Sequence, residues 1–150
     1  MLALNHALFG SIIAVTLKQP AIVVPAAAAS HFALDVLPHF GNADSFGRFS
    51  KSYYRVIKAD ASATIATGIC IMALWPQMAI IIFLGGFSAV VPDLIWPLAI
   101  HTSPKSLLGK YFRIHKAIQL SETPKGIIFE IVWLGVFVSA LISIYFSTTR

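Results

Sequence analysis

The run Ala21-Ile22-Val23-Val24-Pro25-Ala26-Ala27-Ala28-Ala29-Ser30-His31-Phe32-Ala33-Leu34-Asp35-Val36-Leu37-Pro38-His39 decides how this chain folds. It is apolar for most of its length and ends in two imidazoles and a carboxylate. On a helix, positions i and i+4 share a face, so His31 and Asp35 point the same way. Pro38 disfavours helix at Leu37 and donates no backbone bond, which predicts a kink or stop there. His39 then stands at the bend, free to turn back toward the other two. A ligand pair with a third group at a chain bend is a common way to build a metal site. A charge at mid-membrane depth costs about 2.5–3.5 kcal/mol on insertion scales, so charges kept inside apolar spans tend to be functional.

Composition gives the setting. The chain has 150 residues, 57% hydrophobic and only 11% charged, with a mean hydropathy of +0.80. A soluble domain carries about 25% charged residues, so the reading is an integral membrane protein. One helical bundle uses the whole length, and residues 1–150 read as a single domain. In such a chain the net charge of +5 marks a membrane face rather than nucleic-acid binding. Cys70 is alone, which excludes an internal disulfide, and it reads as a packing residue.

Five apolar runs are expected to span. The first, 3–17, ends at Lys18-Gln19-Pro20; it lacks a basic leader and is broken by that polar step, so it does not read as a cleaved signal. The second, 21–40, carries the small residues 26–30 that let another helix approach. The polar connection 41–58 mixes Arg48, Lys51, Arg55 and Lys58 with Phe46, Phe49, Tyr53 and Tyr54, a blend suited to lipid headgroups. A third run follows from Ala59-Asp60 to Trp75-Pro76, then a fourth from 78 to 100 with Pro92 and Pro97 predicted to kink or fray it near Asp93. Residues 105–120 form one amphipathic segment, with Leu107, Leu108, Tyr111, Phe112 and Ile118 on a stripe that also takes in His115. It is expected to lie in the interface, apolar side toward lipid. The last span is 127–146, with Glu130 near enough to its start to count as an interfacial charge. The fold class is thus all-α: a polytopic membrane bundle of about five spans plus one interfacial helix.

Charge then orients the bundle. The 41–58 and 101–126 connections hold four and five Lys/Arg, whereas the turns at Lys18 and Pro76 hold one and none. With five spans both basic connections fall on one side, so that side and the N-terminus are predicted to be cytoplasmic, and the C-terminus external. This arrangement gathers His6, His31, His39 and His115 with Asp35, Asp60 and Asp93 in one layer at the inner face. Such a cluster can ligate one or two divalent ions. Imidazole and carboxylate suit zinc foremost, with manganese or iron as alternatives, and no thiolate set competes. The metal candidates are His6, His31, Asp35, His39, Asp93 and His115; Asp35 and Asp60 are the candidates to orient water or move a proton. His101, beyond Asp93 and before a Ser-Pro turn, reads as a surface or supporting residue. No Gly-rich phosphate loop, G-x-S-x-G elbow or Cys/His pair is present.

The set Asn5-His6-Ala7, Ser30-His31-x-x-x-Asp35-x-x-Pro38-His39, Asp60, Val91-Pro92-Asp93-Leu94 and Phe112-Arg113-Ile114-His115 resembles the membrane-bound metal-dependent hydrolases, small proteins of the bacterial inner membrane. The resemblance covers most of the chain up to about Gln119. It implies a multi-span helical protein with a buried His/Asp metal centre and hydrolase activity. It carries metal roles to His6, His31, Asp35, His39, Asp93 and His115, and matches Asp60 more loosely. Lys116 stands where a second histidine close to His115 would be expected.

The resulting expectation is a membrane-embedded, metal-dependent hydrolase working at the cytoplasmic interface on a small or lipid-like phosphoester or ester. Two other readings stand beside it. One is a non-catalytic membrane protein whose His/Asp network or metal clamps the helices. The other is a small transporter or proton relay, which ranks last because the outer halves of the spans hold almost no polar groups.

Overall fold

A lysine and a proline set the first hairpin. Lys18 takes the left-handed conformation (φ 57°) and closes α1 (Ala3–Leu17) with a bond from its N–H to the Ala14 carbonyl. Pro20 opens α2 (Pro20–Asp35), where a missing N–H leaves nothing unsatisfied. As Pro38 requires, α2 stops early: the helix ends at Asp35, and His39–Phe40 form a two-residue strand, β1. The computed structural model describes residues 1–41, 51–119 and 121–148. Phe46, Arg48 and Phe49 of the expected headgroup segment, and Leu120, lie outside them.

The chain continues as α3 (Lys51–Leu74), a 3-10 turn over Pro76–Met78, and α4 (Ala79–Leu94). Pro92 sits in the last turn of α4, and the chain rewinds as a 3-10 segment over Trp96–His101. Next is α5 (Leu107–Ile118), capped by Ser106, whose hydroxyl accepts from the Gly109 N–H. A strand β2 (Glu122–Thr123), a 3-10 turn over Pro124–Gly126 and α6 (Ile127–Thr148) complete it. β1 and β2 pair in parallel, His39 opposite Glu122 and Phe40 opposite Thr123, a pairing that an all-helical expectation did not contain.

Among the described residues three helical stretches are long and apolar enough to cross a membrane, Tyr54–Leu74, Pro76–Leu94 and Ile127–Thr148, consistent with a membrane protein. α1 and α2 are apolar but have only 15 and 16 residues. At 1.5 Å per residue they reach about 22 and 24 Å, short of a hydrocarbon core of about 30 Å. α1 is the central element, touching α2, α3, α4 and α6. Gly10 of α1 and Gly85 of α4 bring the two backbones together: a Cβ on either would run into the other's carbonyl. Gly10→Val is therefore expected to lower stability by about 1–3 kcal/mol, read as a drop in the melting midpoint of the detergent-solubilised protein.

Three sequence expectations need correction. The connection read as 41–58 is shorter, because α3 already begins at Lys51. Cys70 does not pack inward; it is exposed. The apolar stripe of α5 faces the protein over most of its length: Phe112 and His115 are buried and Leu108, Tyr111 and Ile118 half-buried, and only Leu107 of the stripe points outward, at 84% exposure. Phe112 stacks on Trp96, so α5 covers the end of α4.

Candidate metal centre

His31 and Asp35 sit one turn apart at the end of α2, and the i,i+4 spacing brings His31 Nε2 to 3.2 Å from Asp35 Oδ2. α5 delivers His115, whose Nε2 lies 3.1 Å from Asp35 Oδ2 and 3.1 Å from His31 Nε2. The last turn of α4 adds Asp93, with Oδ1 3.5 Å from His31 Nε2 and 3.6 Å from His115 Nε2. One ligand atom from each of the four falls within 4.8 Å of the others. The side chains of His31, Asp35 and His115 are sealed, while that of Asp93 is 29% exposed. The group has one open side.

The donors fit a metal by two independent criteria. First, His31 Nδ1 is 2.8 Å from the Ala89 carbonyl. A carbonyl only accepts, so Nδ1 carries a proton, and in the neutral ring the Nε2 lone pair points into the cluster. Metal-bound histidines are held the same way. Second, a zinc ion with ligands at about 2.0–2.1 Å has tetrahedron edges of about 3.3 Å. Five of the six edges here measure between 3.1 and 3.6 Å. Two nitrogens and two oxygens are acceptable to zinc, manganese or iron. Without a proton or cation among them, two carboxylates and an inward lone pair would repel one another.

Around this core stand groups that touch it without completing it. His6, from α1, stacks on His31 with ring centroids 4.0 Å apart, and its Nε2 is 3.2 Å from Asp35 Oδ1. It is fully buried, and apart from that carboxylate contact its ring nitrogens have no polar partner. The Met1 amine donates to the same Oδ1 at 2.6 Å, and Gln119 Nε2 donates to Oδ2 at 3.3 Å. Tyr111 donates its hydroxyl to the Pro92 carbonyl at 3.0 Å and lies 3.3 Å from His115 Nδ1. Burial, then Asp93 and Asp35, push that phenol up to about 12. Phe32 and Trp96 wall the His115 ring.

The structure therefore brings His31, Asp35, Asp93 and His115 together and sets His6 beside them. It does not add His39 or Asp60. His39 is buried, but its Nδ1–H donates to the Leu37 carbonyl at 2.7 Å and its backbone is held by β2. Asp60, expected to move protons, instead accepts from the Ala3 and Leu4 N–H groups at 2.9 and 3.0 Å. It caps α1 from a neighbouring helix, satisfying amides the first turn leaves free. His101 is exposed at the end of its 3-10 segment.

Sequence reasoning missed Glu130. It is 3% exposed and accepts from the Leu2 and Phe40 N–H groups, both at 3.0 Å, and from Asn5 Nδ2 at 2.6 Å. Asn5 Nδ2 also donates to the Glu130 carbonyl. The signal was present, since Glu130 is the sole charged residue in the described length of α6. The same cost of intramembrane charge that singled out Asp35 applies to it. A cavity lined by Val15, Lys18, Trp75 and Met78 lies at the opposite end of the bundle and contains no imidazole or carboxylate.

Compared with protein-family models, with curated proteins and with solved structures, the chain matches none.

Proposed function

We propose that this chain is an integral-membrane, metal-dependent hydrolase whose ion is held by His31, Asp35, Asp93 and His115. The observation that carries the reading is the near-tetrahedral set of edges together with the exposed flank at Asp93. Catalytic ions keep a position for water, which here would enter at the exposed Asp93 flank, as a fifth ligand or in place of Asp93. A divalent ion there, zinc foremost and manganese or iron otherwise, supplies Lewis acidity and a water of lowered pKa. His31 and His115 donate neutral nitrogens, and the two carboxylates balance the charge. His6, whose Nε2 faces Asp35 and whose Nδ1 has no partner, is the group proposed to exchange a proton with the site.

The finer topology belongs to the same proposal. α1 and α2 act as spans made short by the site at their ends, giving five crossings with α5 at the surface. The basic residues of α5 and of the connection after it, Lys110, Arg113, Lys116 and Lys125, support a cytoplasmic face for the site with the N-terminus inside. The resemblance of the His/Asp motif to bacterial inner-membrane hydrolases supports that membrane. A site opening beside Asp93 at the surface layer suits a lipid headgroup phosphoester or an amphipathic ester.

The test is turnover. Protein purified in detergent, stripped with chelator and reloaded with zinc or manganese, is offered short-chain phospholipids, a phosphate monoester and an ester. Metal-dependent release of product that falls at least tenfold in Asp93→Asn is expected. Tight metal binding with no turnover on any of them would leave the clamp reading. That reading has its own support, because the four groups come from three separate elements, α2, α4 and α5, which an ion would tie together. It predicts that removing metal lowers the melting midpoint by several degrees.

A further inference from the structure

We propose that the outward face of α5 is a docking surface for anionic phospholipid, with Leu107 and Ile114 set against the acyl chains and Lys110 and Arg113 on the phosphates. The proposal goes beyond the metal reading and needs neither an ion nor turnover. α5 spends most of its apolar stripe inward, on Trp96 and on the ends of α2 and α4. What it leaves outside is not uniformly polar. Leu107 and Ile114 are 84% and 61% exposed, and seven residues apart they lie within about 20° of each other around the axis. Lys110 and Arg113, both exposed, follow in the same direction at about 60° and 120° from Leu107. The helix holds no acidic residue, and exposed Lys105 adds a further positive charge at its entrance. The outer face is thus an apolar edge beside a basic one, the pattern of a helix lying in the plane of a membrane surface.

Its place in the fold puts that face at headgroup depth. Phe112 stacks on Trp96, and the Tyr111 hydroxyl donates to the Pro92 carbonyl at 3.0 Å, so α5 is fixed to the end of α4. α4 completes the span-length stretch Pro76–Leu94, and the chain just past such a stretch enters the headgroup layer. Exposed Leu94 and Leu98 carry apolar surface from the span toward α5. Charge then selects among lipids. A zwitterionic headgroup has no net charge to offer these cations, whereas each Lys or Arg near an anionic leaflet is worth about fivefold. Long aliphatic stems let Lys110 and Arg113 reach phosphate oxygens while the two aliphatic side chains sit deeper.

The test uses the full-length, metal-free protein in nanodiscs of phosphatidylcholine with one quarter phosphatidylglycerol. Cys70 is the only cysteine, so in a Cys70→Ser background Leu107→Cys and Ile114→Cys each carry a single spin label. Both labels are expected to meet dissolved oxygen more readily than a water-soluble nickel chelate. Labels as open to the chelate as to oxygen would mean that the face looks into water, where an acidic soluble partner could reach it, and would overturn the proposal. A fluorophore on Leu107→Cys then reports its neighbours, through quenching by nitroxide-labelled phosphatidylglycerol or phosphatidylcholine. The anionic lipid should quench preferentially, and Lys110→Gln with Arg113→Gln should lower that preference at least about fivefold. Equal quenching by the two lipids, or a preference unchanged in the double variant, overturns it. Both substitutions are at exposed positions, and the melt in neutral detergent is expected to stay at the wild-type midpoint. Absence of zinc binding or of turnover would remove the hydrolase reading and leave both of these readouts as they are.

Discussion

Asp35→Ala is expected to weaken zinc binding by about two to four powers of ten. Asp35 is the hub of the polar layer: Oδ2 meets His31, His115 and Gln119, and Oδ1 meets His6 and the Met1 amine. Removing one partner from a buried charged group costs about 3–5 kcal/mol, which at about 1.4 kcal/mol per decade sets the expected range. Competition titration measures it, with Asp35→Asn as a variant of nearly equal volume to separate lost charge from lost packing. Zinc binding by Asp35→Ala within threefold of wild type would mean that the ion sits elsewhere. Thermal melts of the metal-free proteins complete the comparison. A centre that serves catalysis predicts a small extra loss on stripping metal from the wild type, and a clamp predicts a large one.

Glu130→Ala is expected to destabilise the fold by at least about 3 kcal/mol. The Leu2 and Phe40 amides lose their acceptor, and the Asn5 carboxamide loses one of its two, keeping the Glu130 carbonyl. Each buried unsatisfied donor costs about 1–3 kcal/mol, against a total stability of about 5–15 kcal/mol for a typical domain. The loss also reaches the site, because the start of α1 carries His6 and is held from two sides, by Glu130 of α6 and by Asp60 of α3. The melting midpoint should fall steeply in Glu130→Ala and less in Glu130→Gln, which keeps one acceptor. A melt of Glu130→Ala within about one degree of wild type would show that water takes over these bonds.

These two residues mark the boundary of what could be read from the chain. Asp35 was legible because its relation to His31 is local: i,i+4 on a helix needs no tertiary information. Asp93 and His115 were legible at one remove, since alternating helices must bring their polar ends to a common layer. Glu130 obeyed the same rule and was passed over only because it lay near the start of its run. Asp60 could not be placed from spacing, because what it meets is the open N-terminus of another helix, and nothing local says which helix lies beside it. His39 illustrates a different limit. Pro38 correctly ended the helix, but the direction taken afterwards is set by pairing with Glu122 and Thr123, far along the chain. Periodicity located the apolar stripe of α5 without saying whether lipid or protein covers it. His115 on that stripe was the hint that the stripe turns inward, since a histidine at the seam of an apolar face needs a polar partner.

X-ray absorption at the metal edge of the zinc-loaded, full-length protein tests the central claim most directly. The account predicts one tightly held ion per chain, with a first shell of nitrogen and oxygen at about 2.0–2.2 Å and outer scattering from two imidazoles, falling to one in His115→Ala. A protein that retains no divalent ion, or one whose ion shows no imidazole scattering, would contradict it.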